Sequence, residues 1–273
     1  MLQSLERQSG LPIAFDPGAA AIHRPPAVVG GEESVRTAEA MQEYVSDPSA
    51  RPTQETVYTV YRNLARPQDA AAIAHAQVRY DMTVIRPGFF IGERKEFFRT
   101  AGHYHSLKAE SGIAYPEVYE VISGRAYWLL QRPAAEEPAR LEEIYLVEAG
   151  PGEKAVMLPG FGHISVNVHS EPLILSNWIN DTFGYNYEPY QRFRGGGYWV
   201  VERTPDLIEF EKNPHYREVP ELSKLRPREV PEFGLLKSRP AYSLASELAK
   251  LRFLNAPEEF LSLLTLENCY RAL

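Results

Sequence analysis

Histidine and carboxylate residues fall into two short segments that could together hold a metal ion. His103 and His105 flank a tyrosine, Glu117 follows them, and His163 lies further along in the segment Pro-Gly-Phe-Gly-His. Imidazole nitrogens and carboxylate oxygens are ligands that divalent transition metals take in proteins. Of the seven histidines, only 103, 105 and 163 fall in the strand-rich core with matching facing and flanking turns. The sequence therefore predicts one metal site.

The middle of the chain is predicted to be a series of short strands. Its segments are rich in β-branched and aromatic residues and are separated by Gly or Pro turns, which is typical of strands. The predicted strands are 57–61, 80–85, 115–122, 125–131, 143–147, 154–158, 164–168 and 172–179. Regularly spaced strands without intervening helices favour an antiparallel sandwich or barrel.

Side-chain alternation along these strands decides which residues share a face. His103 and His105 are two residues apart, so both rings point to the same side of a strand. In 115–122, alternation places Glu117 on the inner face and Glu120 on the opposite face, which we expect to meet solvent. His163 shares its face with polar residues. A barrel with a polar interior is expected to form a ligand cavity.

The two ends of the chain differ from its middle. Residues 1–33 are rich in breakers and predict an extended arm, and from Ser34 apolar residues recur at a spacing that predicts a helix ending at Asp47-Pro48. Near the C-terminus we expect two helices, one from about Ser243 and one that begins with Asn255 as its cap. We therefore expect an arm and helix over 1–56, a barrel over 57–200 and a helical extension over 201–273.

Composition restricts the classes of function. The chain has 273 residues, with 29 basic and 36 acidic side chains and a net charge of −7, which argues against a broad nucleic-acid surface. Cys269 is a single cysteine, so no intramolecular disulfide framework is possible. No segment reaches the ~20 apolar residues of a membrane span. We expect no nucleic-acid partner, no membrane role and a cytoplasmic location.

The spacing of these motifs resembles that of the cupin superfamily. His103-x-His105, Glu117 followed by Gly124, and Pro159 before His163 correspond to its paired motifs. The resemblance implies a double-stranded β-helix, the jelly-roll barrel, holding one metal through His103, His105, Glu117 and His163. The insertion 106–116 lengthens the first motif and leaves open whether Glu110 takes the place of Glu117.

A narrower resemblance is to the cupin-type glucose-6-phosphate isomerases. It rests on Arg79-Tyr-Asp-Met-Thr-Val-Ile-Arg-Pro-Gly88, on Thr100-Ala-Gly-His-Tyr-His105 and on Glu117-Val-Tyr-Glu-Val-Ile-Ser-Gly124, and it extends over about 58–187. The resemblance implies that the substrate phosphate is bound by residues along two of these segments and by a tyrosine at 58 or 61. The candidates for binding the substrate and its phosphate are Thr83, Thr100, Gly102, Tyr58, Tyr61 and Tyr185. Arg86 or Arg99 could add positive charge.

Tyr185 stands where the family has the histidine of a His-x-Tyr pair, so the task of that histidine is altered in this chain. The implied reaction interconverts glucose 6-phosphate and fructose 6-phosphate, and its catalytic candidates are Glu117 and Tyr119. Glu117 would move a proton between neighbouring carbons, and a direct hydride shift is the competing route. The implied cofactor is one divalent transition metal, with iron, manganese, zinc and nickel left open.

Two other functions are compatible with the same residues. Three histidines and one glutamate could hold the iron of a dioxygenase, whose open positions take dioxygen. A sugar-binding cupin without catalytic activity is the other alternative. The predicted partner is a small-molecule sugar phosphate, and we expect a homodimer because barrels of this kind commonly pair.

Overall fold

Antiparallel strands make up most of the structure, a computed structural model that describes residues 1–205 and 207–273. In chain order they are β1 (Gln3–Ser4), β2 (Ala14–Asp16), β3 (Ala21–His23), β4 (Glu32–Thr37), β5 (Arg51–Pro52), β6 (Thr56–Arg62), β7 (Val78–Ile85), β8 (Phe89–Ile91), β9 (Lys95–Phe97), β10 (Tyr104–His105), β11 (Glu117–Ser123), β12 (Ala126–Ala134), β13 (Glu137–Ala149), β14 (Lys154–Met157), β15 (Gly162–Val166), β16 (Leu173–Asn180), β17 (Tyr185–Asn186), β18 (Tyr198–Thr204), β19 (Leu207–Lys212), β20 (Ser223–Pro227) and β21 (Tyr270–Ala272).

Helices are few and short. The α-helices are α1 (Glu6–Ser9), α2 (Pro67–His75), α3 (Glu188–Arg192) and α4 (Leu266–Cys269), and 3-10 helices lie at Glu39–Met41, Pro231–Phe233, Ala241–Ser246, Leu248–Leu254 and Pro257–Glu259. Within the described ranges, no helix has the length and apolar character needed to span a membrane.

Two sheets form the barrel. The first has six strands in the order β14-β11-β16-β7-β6-β4, and the second has five in the order β15-β12-β13-β20-β21. Their inner faces meet closely enough for Glu117 on β11 to approach His163 on β15 to 3.3 Å. A third sheet, β19-β18-β9-β8-β5, lies beside them. The fully buried Trp128 and Trp178 belong to one continuous apolar core that both barrel sheets share.

All eight predicted strands of the barrel are confirmed as β6, β7 and β11 to β16. Their β-branched and aromatic residues pack well on a pleated surface that is buried on at least one side, which is why the pattern identified them. The mainly β, jelly-roll architecture is confirmed with them. Strands β18 to β21 were missed because they lie among charged and proline-rich residues.

The helix predicted from Ser34 is wrong. Residues Glu32–Thr37 form β4, which pairs antiparallel with β6 along its whole length. Val35 is 52% exposed, whereas Met41 is fully buried in the short 3-10 helix that follows. The spacing of apolar residues after Ser34 reflects their burial in an irregular segment and not one face of a helix. Backbone pairing of Glu32–Thr37 with β6 outweighed the helix propensity of these residues.

The C-terminal region is helical, but its helices are shorter than predicted. They are 3-10 turns, and Asn255 does not cap the start of a helix: it ends the turn Leu248–Leu254. Its side chain donates a hydrogen bond to the carbonyl of Ala76 and accepts one from Asn180. The side chain of Asn255 is therefore engaged in long-range hydrogen bonds, and it does not form the local helix cap that the sequence pattern predicted. The division into 1–56, 57–200 and 201–273 stays a prediction.

Candidate metal centre and active site

Four side chains converge between the two barrel sheets. They are His103, His105, Glu117 and His163, and their nearest ligand atoms all lie within 4.8 Å of one another. His105 belongs to β10, Glu117 begins β11, His163 lies in β15, and His103 is fixed beside His163 by an isolated β-bridge. The structure therefore brings together the set that the sequence analysis proposed.

Three of the separations within this cluster match those around a coordinated metal ion. Nε2 of His103 and Nε2 of His105 are 3.1 Å apart, and Oε2 of Glu117 lies 3.3 Å from Nε2 of both His105 and His163. Ligands bound at about 2.1 Å are separated by roughly 3.0–3.4 Å in octahedral or tetrahedral arrangements. The spacing thus fits a transition-metal ion with positions left for substrate.

Hydrogen bonding also fits a metal at this point. Among the described residues, Oε2 of Glu117 and both ring nitrogens of His163 are buried without a hydrogen-bond partner. Leaving such atoms unpaired in the interior is costly, and metal ligation would satisfy those that face the cluster. We therefore assign His103, His105, Glu117 and His163 as the residues that would hold the ion.

Two neighbouring groups orient the ligands. Nδ1 of His105 lies 2.7 Å from the carbonyl of Tyr115, so this nitrogen carries the hydrogen and Nε2 is left with its lone pair toward the cluster. Asn177 on β16 donates a hydrogen bond of 2.7 Å to Oε1 of Glu117, which turns Oε2 toward the histidines. The sequence analysis missed Asn177, although its polar side chain inside the apolar strand β16 was a usable signal.

The insertion 106–116 does not displace Glu117. It folds back on itself through a bridge between Leu107 and Ala114, and its end supplies the Tyr115 carbonyl that holds His105. Glu110, the alternative ligand, lies exposed on the turn of this insertion and outside the cluster.

Electrostatics within the cluster keep Glu117 charged and His103 and His163 neutral. Burial favours a raised pKa for Glu117, but the close contacts of its carboxylate with His105 and then His163 outweigh burial and hold the pKa well below its usual range. Burial, together with the neighbouring His163 and His105, lowers the pKa of His103 well below its usual range. Burial also lowers the pKa of His163. An ionised carboxylate and neutral imidazoles are the protonation states that ligate metals.

Hydroxyl groups line the cavity that opens from the cluster. Tyr58, Thr83, Thr100, Tyr119 and Tyr185 line it, with Gly102 in the wall. Gly102 has φ +80°, and a Cβ there would lie 2.6 Å from Ile164, so only glycine fits. Burial, and then the charge of Glu117, raises the pKa of Tyr119 well above its usual range, so its hydroxyl remains a hydrogen-bond donor.

Tyr61 does not belong to this wall. It is 1% exposed, and its hydroxyl accepts a hydrogen bond of 3.1 Å from the backbone N–H of Ile22 in the N-terminal arm. Residues three apart on a strand point to opposite faces, so Tyr58 and Tyr61 cannot both face the cavity. Of the two tyrosines, the structure places Tyr58 in the cavity wall and Tyr61 outside it.

Glu120 is buried, contrary to the expectation that it meets solvent. It is 1% exposed, and its Oε1 accepts a hydrogen bond of 2.7 Å from Lys154. Its Oε2 accepts another from the backbone N–H of Ala241 in the C-terminal extension. Alternation correctly placed Glu120 on the outer face of β11, but the C-terminal extension covers that face.

The arginines named as possible sources of phosphate charge have other partners. Arg99 is buried and pairs with Glu96 at 2.9 Å, and Arg86 donates a hydrogen bond to the carbonyl of Ala19. Arg62 lines the cavity, and Arg36 lies opposite Tyr58 in the register of β4 and β6 and 5.7 Å from the ring centroid of Tyr187.

Arginines and an aspartate surround Tyr185, and the sequence analysis did not find them. Arg62 and Arg79 both donate hydrogen bonds to the Tyr185 hydroxyl, and both pair with Asp81. Burial raises the pKa of Tyr185, and Arg79 and Arg62 oppose the rise without reversing it. Tyr185 therefore stays protonated at neutral pH.

A jelly-roll barrel with three histidines and a glutamate between its sheets is a cupin with a candidate metal centre. The chain is 29% identical over 192 residues to the glucose-6-phosphate isomerase of Thermococcus litoralis, covering 70% of this chain and 90% of that protein. It is 27% identical over 195 residues to the enzyme of the same name from Pyrococcus abyssi, covering 70% and 91%.

Residues 32–217 match the sequence model of the glucose-6-phosphate isomerase (GPI) family, and the chain belongs to this family. The match begins at β4, well before the start of the resemblance noted in the sequence. Among solved structures, an oxalate oxidase is similar with a TM-score of 0.37 and 14% identity, covering 52% of this chain and 60% of that one. Family membership confirms the expectation of an enzyme, a sugar-phosphate isomerase.

Proposed function

We propose that this protein is a metal-dependent isomerase that interconverts glucose 6-phosphate and fructose 6-phosphate. The observation that carries this proposal is the position of Glu117, whose Oε2 is buried without a hydrogen-bond partner and faces two imidazole nitrogens at 3.3 Å. Family membership supports the substrate. The hydroxyl-lined cavity beside the cluster supports a polar ligand.

A bound divalent ion would supply Lewis-acid stabilisation of the negative charge that develops on the sugar oxygens. Glu117 is the carboxylate positioned to remove a proton from one sugar carbon and return it to the neighbouring carbon. Asn177 holds Oε1 through its hydrogen bond, so Oε2 is the oxygen that would have to serve in turn as ligand and as base. Tyr119, also on the inner face of β11, donates a hydrogen bond to a sugar hydroxyl.

The phosphate group would lie against Thr83, Thr100, Gly102 and Tyr58. Oγ1 of Thr100 already accepts a hydrogen bond from the backbone N–H of Ser165, so its own hydrogen is available to donate. A phosphate dianion also needs positive charge nearby. Arg62 of the cavity wall is already paired with Tyr185 and Asp81, so we take Arg36, beside Tyr187, as the source of this charge.

The test is a coupled assay of the metal-loaded protein with fructose 6-phosphate, which follows formation of glucose 6-phosphate. We expect turnover that disappears after chelation, returns on adding metal back, and is lost in His163→Ala. His169→Ala is the matched control because His169 is exposed and lies outside the cluster. Turnover that survives complete removal of metal would refute the metal-dependent mechanism.

The route of the hydrogen is tested by running the reaction in deuterium oxide. Transfer through Glu117 exchanges with solvent and places deuterium on the product carbon, whereas a direct hydride shift between the carbons does not. Oxygen uptake with catechols or thiols, in the absence of isomerase turnover, would favour the dioxygenase alternative. Binding of sugar phosphate without any turnover would favour a non-catalytic cupin.

We also propose that the protein acts in the cytoplasm as a homodimer. The single buried cysteine fits a reducing compartment. Strand β4 forms an edge of the six-stranded sheet, and most of its side chains are exposed, so a second copy could pair there. Sedimentation of the full chain would test the dimer, and a monomer at micromolar concentration would contradict it.

A further inference from the structure

The hydroxyl of Tyr185 is fixed by two arginine side chains. Nη1 of Arg62 donates a hydrogen bond to it at 2.9 Å, and Nη2 of Arg79 donates a second, shorter one. The guanidinium groups come from neighbouring strands, β6 and β7, and reach the same oxygen from different directions.

Asp81 pairs with both arginines and so fixes their positions around Tyr185. Its Oδ2 lies 2.9 Å from Nε of Arg79 and 3.6 Å from Nη1 of Arg62. Its Oδ1 accepts a hydrogen bond of 2.8 Å from the backbone N–H of Asn63. Asp81 is only 1% exposed. Gathering three charged groups around one tyrosine in the interior carries a desolvation cost, which suggests that the position of this hydroxyl matters for function.

The Tyr185 hydroxyl has one hydrogen-bonding capacity left once both arginines are bound to it. A hydroxyl oxygen accepts up to two hydrogen bonds and donates one. The two arginines fill the accepting positions, so the remaining capacity is donation. Within residues 1–205 and 207–273, no acceptor for this hydrogen is found. Tyr185 lines the same cavity as Glu117, and its ring centroid is 4.8 Å from that of His103. The free donor therefore belongs to the substrate cavity beside the metal cluster.

We propose that Tyr185 donates a hydrogen bond to the sugar oxygen that gains negative charge during isomerisation, and that Arg62 and Arg79 orient and polarise this hydroxyl. The inference rests on the proposed isomerase function. As hydrogen moves between adjacent carbons, the carbonyl and hydroxyl oxygens exchange roles and one of them accumulates charge. A preorganised donor aimed at that oxygen stabilises the transition state more than the substrate. Tyr185 keeps its proton throughout, so the hydrogen balance of the reaction is unchanged.

The first test removes only the hydroxyl. In Tyr185→Phe we expect kcat to fall by about 100-fold, the size typical for loss of one oxyanion donor, with KM nearly unchanged. Metal content and melting temperature should match wild type. Tyr127→Phe is the matched control, because Tyr127 is half-buried, stacks on Phe210 and lies away from the cavity.

A binding measurement gives a readout that does not depend on turnover. A phosphorylated sugar acid carries a carboxylate where charge develops in the reaction, so we expect calorimetry to show weaker binding of this acid to Tyr185→Phe. Inorganic phosphate, which lacks that carboxylate, should bind wild type and Tyr185→Phe alike. Equal binding of the sugar acid to both proteins would overturn the proposal.

The arginines are tested through their dependence on Tyr185. Arg62→Met should lower kcat in the wild-type background but should change it little in Tyr185→Phe, because its effect passes through the hydroxyl. Arg62→Lys should recover part of the loss. A purely structural role would lower kcat equally in both backgrounds.

The inference and the proposed function fail in different ways. Isomerase turnover in wild type with undiminished kcat in Tyr185→Phe would refute the role of Tyr185 and leave the function standing. Absence of turnover in metal-loaded wild type would refute the function, and the sugar-acid comparison would then still decide whether Tyr185 is a ligand-facing donor.

Discussion

Replacing Glu120 is predicted to destabilise the protein more than any single surface ion-pair change. Glu120 and Lys154 are 1% and 4% exposed and are joined at 2.7 Å, so both charges are taken out of water. Removing one partner of a buried pair leaves the other charge uncompensated and costs about 3–5 kcal/mol. The hydrogen bond from Ala241 to Glu120 adds about 1–3 kcal/mol when its acceptor is deleted.

Three substitutions separate these contributions. Glu120→Gln keeps an acceptor for the Ala241 amide and loses only the charge, so we expect a loss of about 3 kcal/mol in the free energy of unfolding. Glu120→Ala loses both and is expected to approach or exceed 5 kcal/mol, a large share of the 5–15 kcal/mol typical of folded proteins. The double variant Glu120→Met with Lys154→Met should recover much of the loss, because neither charge is then left buried.

Urea denaturation of metal-loaded protein at neutral pH measures these differences. Glu137→Gln, which breaks the more exposed pair between Glu137 and Arg217, is the control and should change stability very little. A Glu120→Gln variant as stable as wild type would refute the claim that the pair is buried and charged. Equal destabilisation by Glu120→Gln and the double variant would show that packing, rather than an uncompensated charge, causes the loss.

Three further outcomes follow from the site. Asn177→Leu should weaken metal binding by about 10–100-fold, because Glu117 loses the donor that orients it. An unchanged affinity in a metal titration would show that this hydrogen bond is incidental. Burial lowers the pKa of His103 and His163 below the value of about 6.5 that histidine has in an unfolded chain. The apoprotein should therefore lose stability as pH falls below about 6.5, and thermal unfolding measures this loss. A stability that stays constant from pH 7 to 5 would contradict this. Arg36→Gln should raise KM for fructose 6-phosphate and leave kcat nearly unchanged, and an unchanged KM in steady-state kinetics would remove Arg36 from the phosphate site.

The amino-acid sequence by itself determined the barrel strands and the metal cluster. Residue composition and period-two alternation are local properties. Composition therefore identified the eight central strands, and alternation identified the inner position of Glu117, without knowledge of their partners. The histidines and the glutamate were recognisable because few residue types bind transition metals and their spacing matched one fold. The hydroxyl-bearing residues Thr83 and Thr100 were named from the family resemblance, and both line the cavity.

Local pattern was ambiguous wherever a partner distant in the chain decided the outcome. The spacing of apolar residues after Ser34 suits a helix, but β6 offered an unpaired edge and the segment Glu32–Thr37 became a strand. Alternation gave the correct face for Glu120 and could not reveal that the C-terminal extension buries it. The same alternation rule, applied to Tyr58 and Tyr61, already separates their faces.

Only the tertiary structure decided how the ligands and Tyr185 are supported. Asn177 reaches Glu117 because β16 pairs with β11, and Arg62 and Arg79 reach Tyr185 across more than a hundred residues of chain. Strand order and register bring these side chains together, and neither is encoded in any one segment. A sequence specifies the chemistry a residue can perform, whereas the hydrogen bonds that aim it depend on which strands become neighbours.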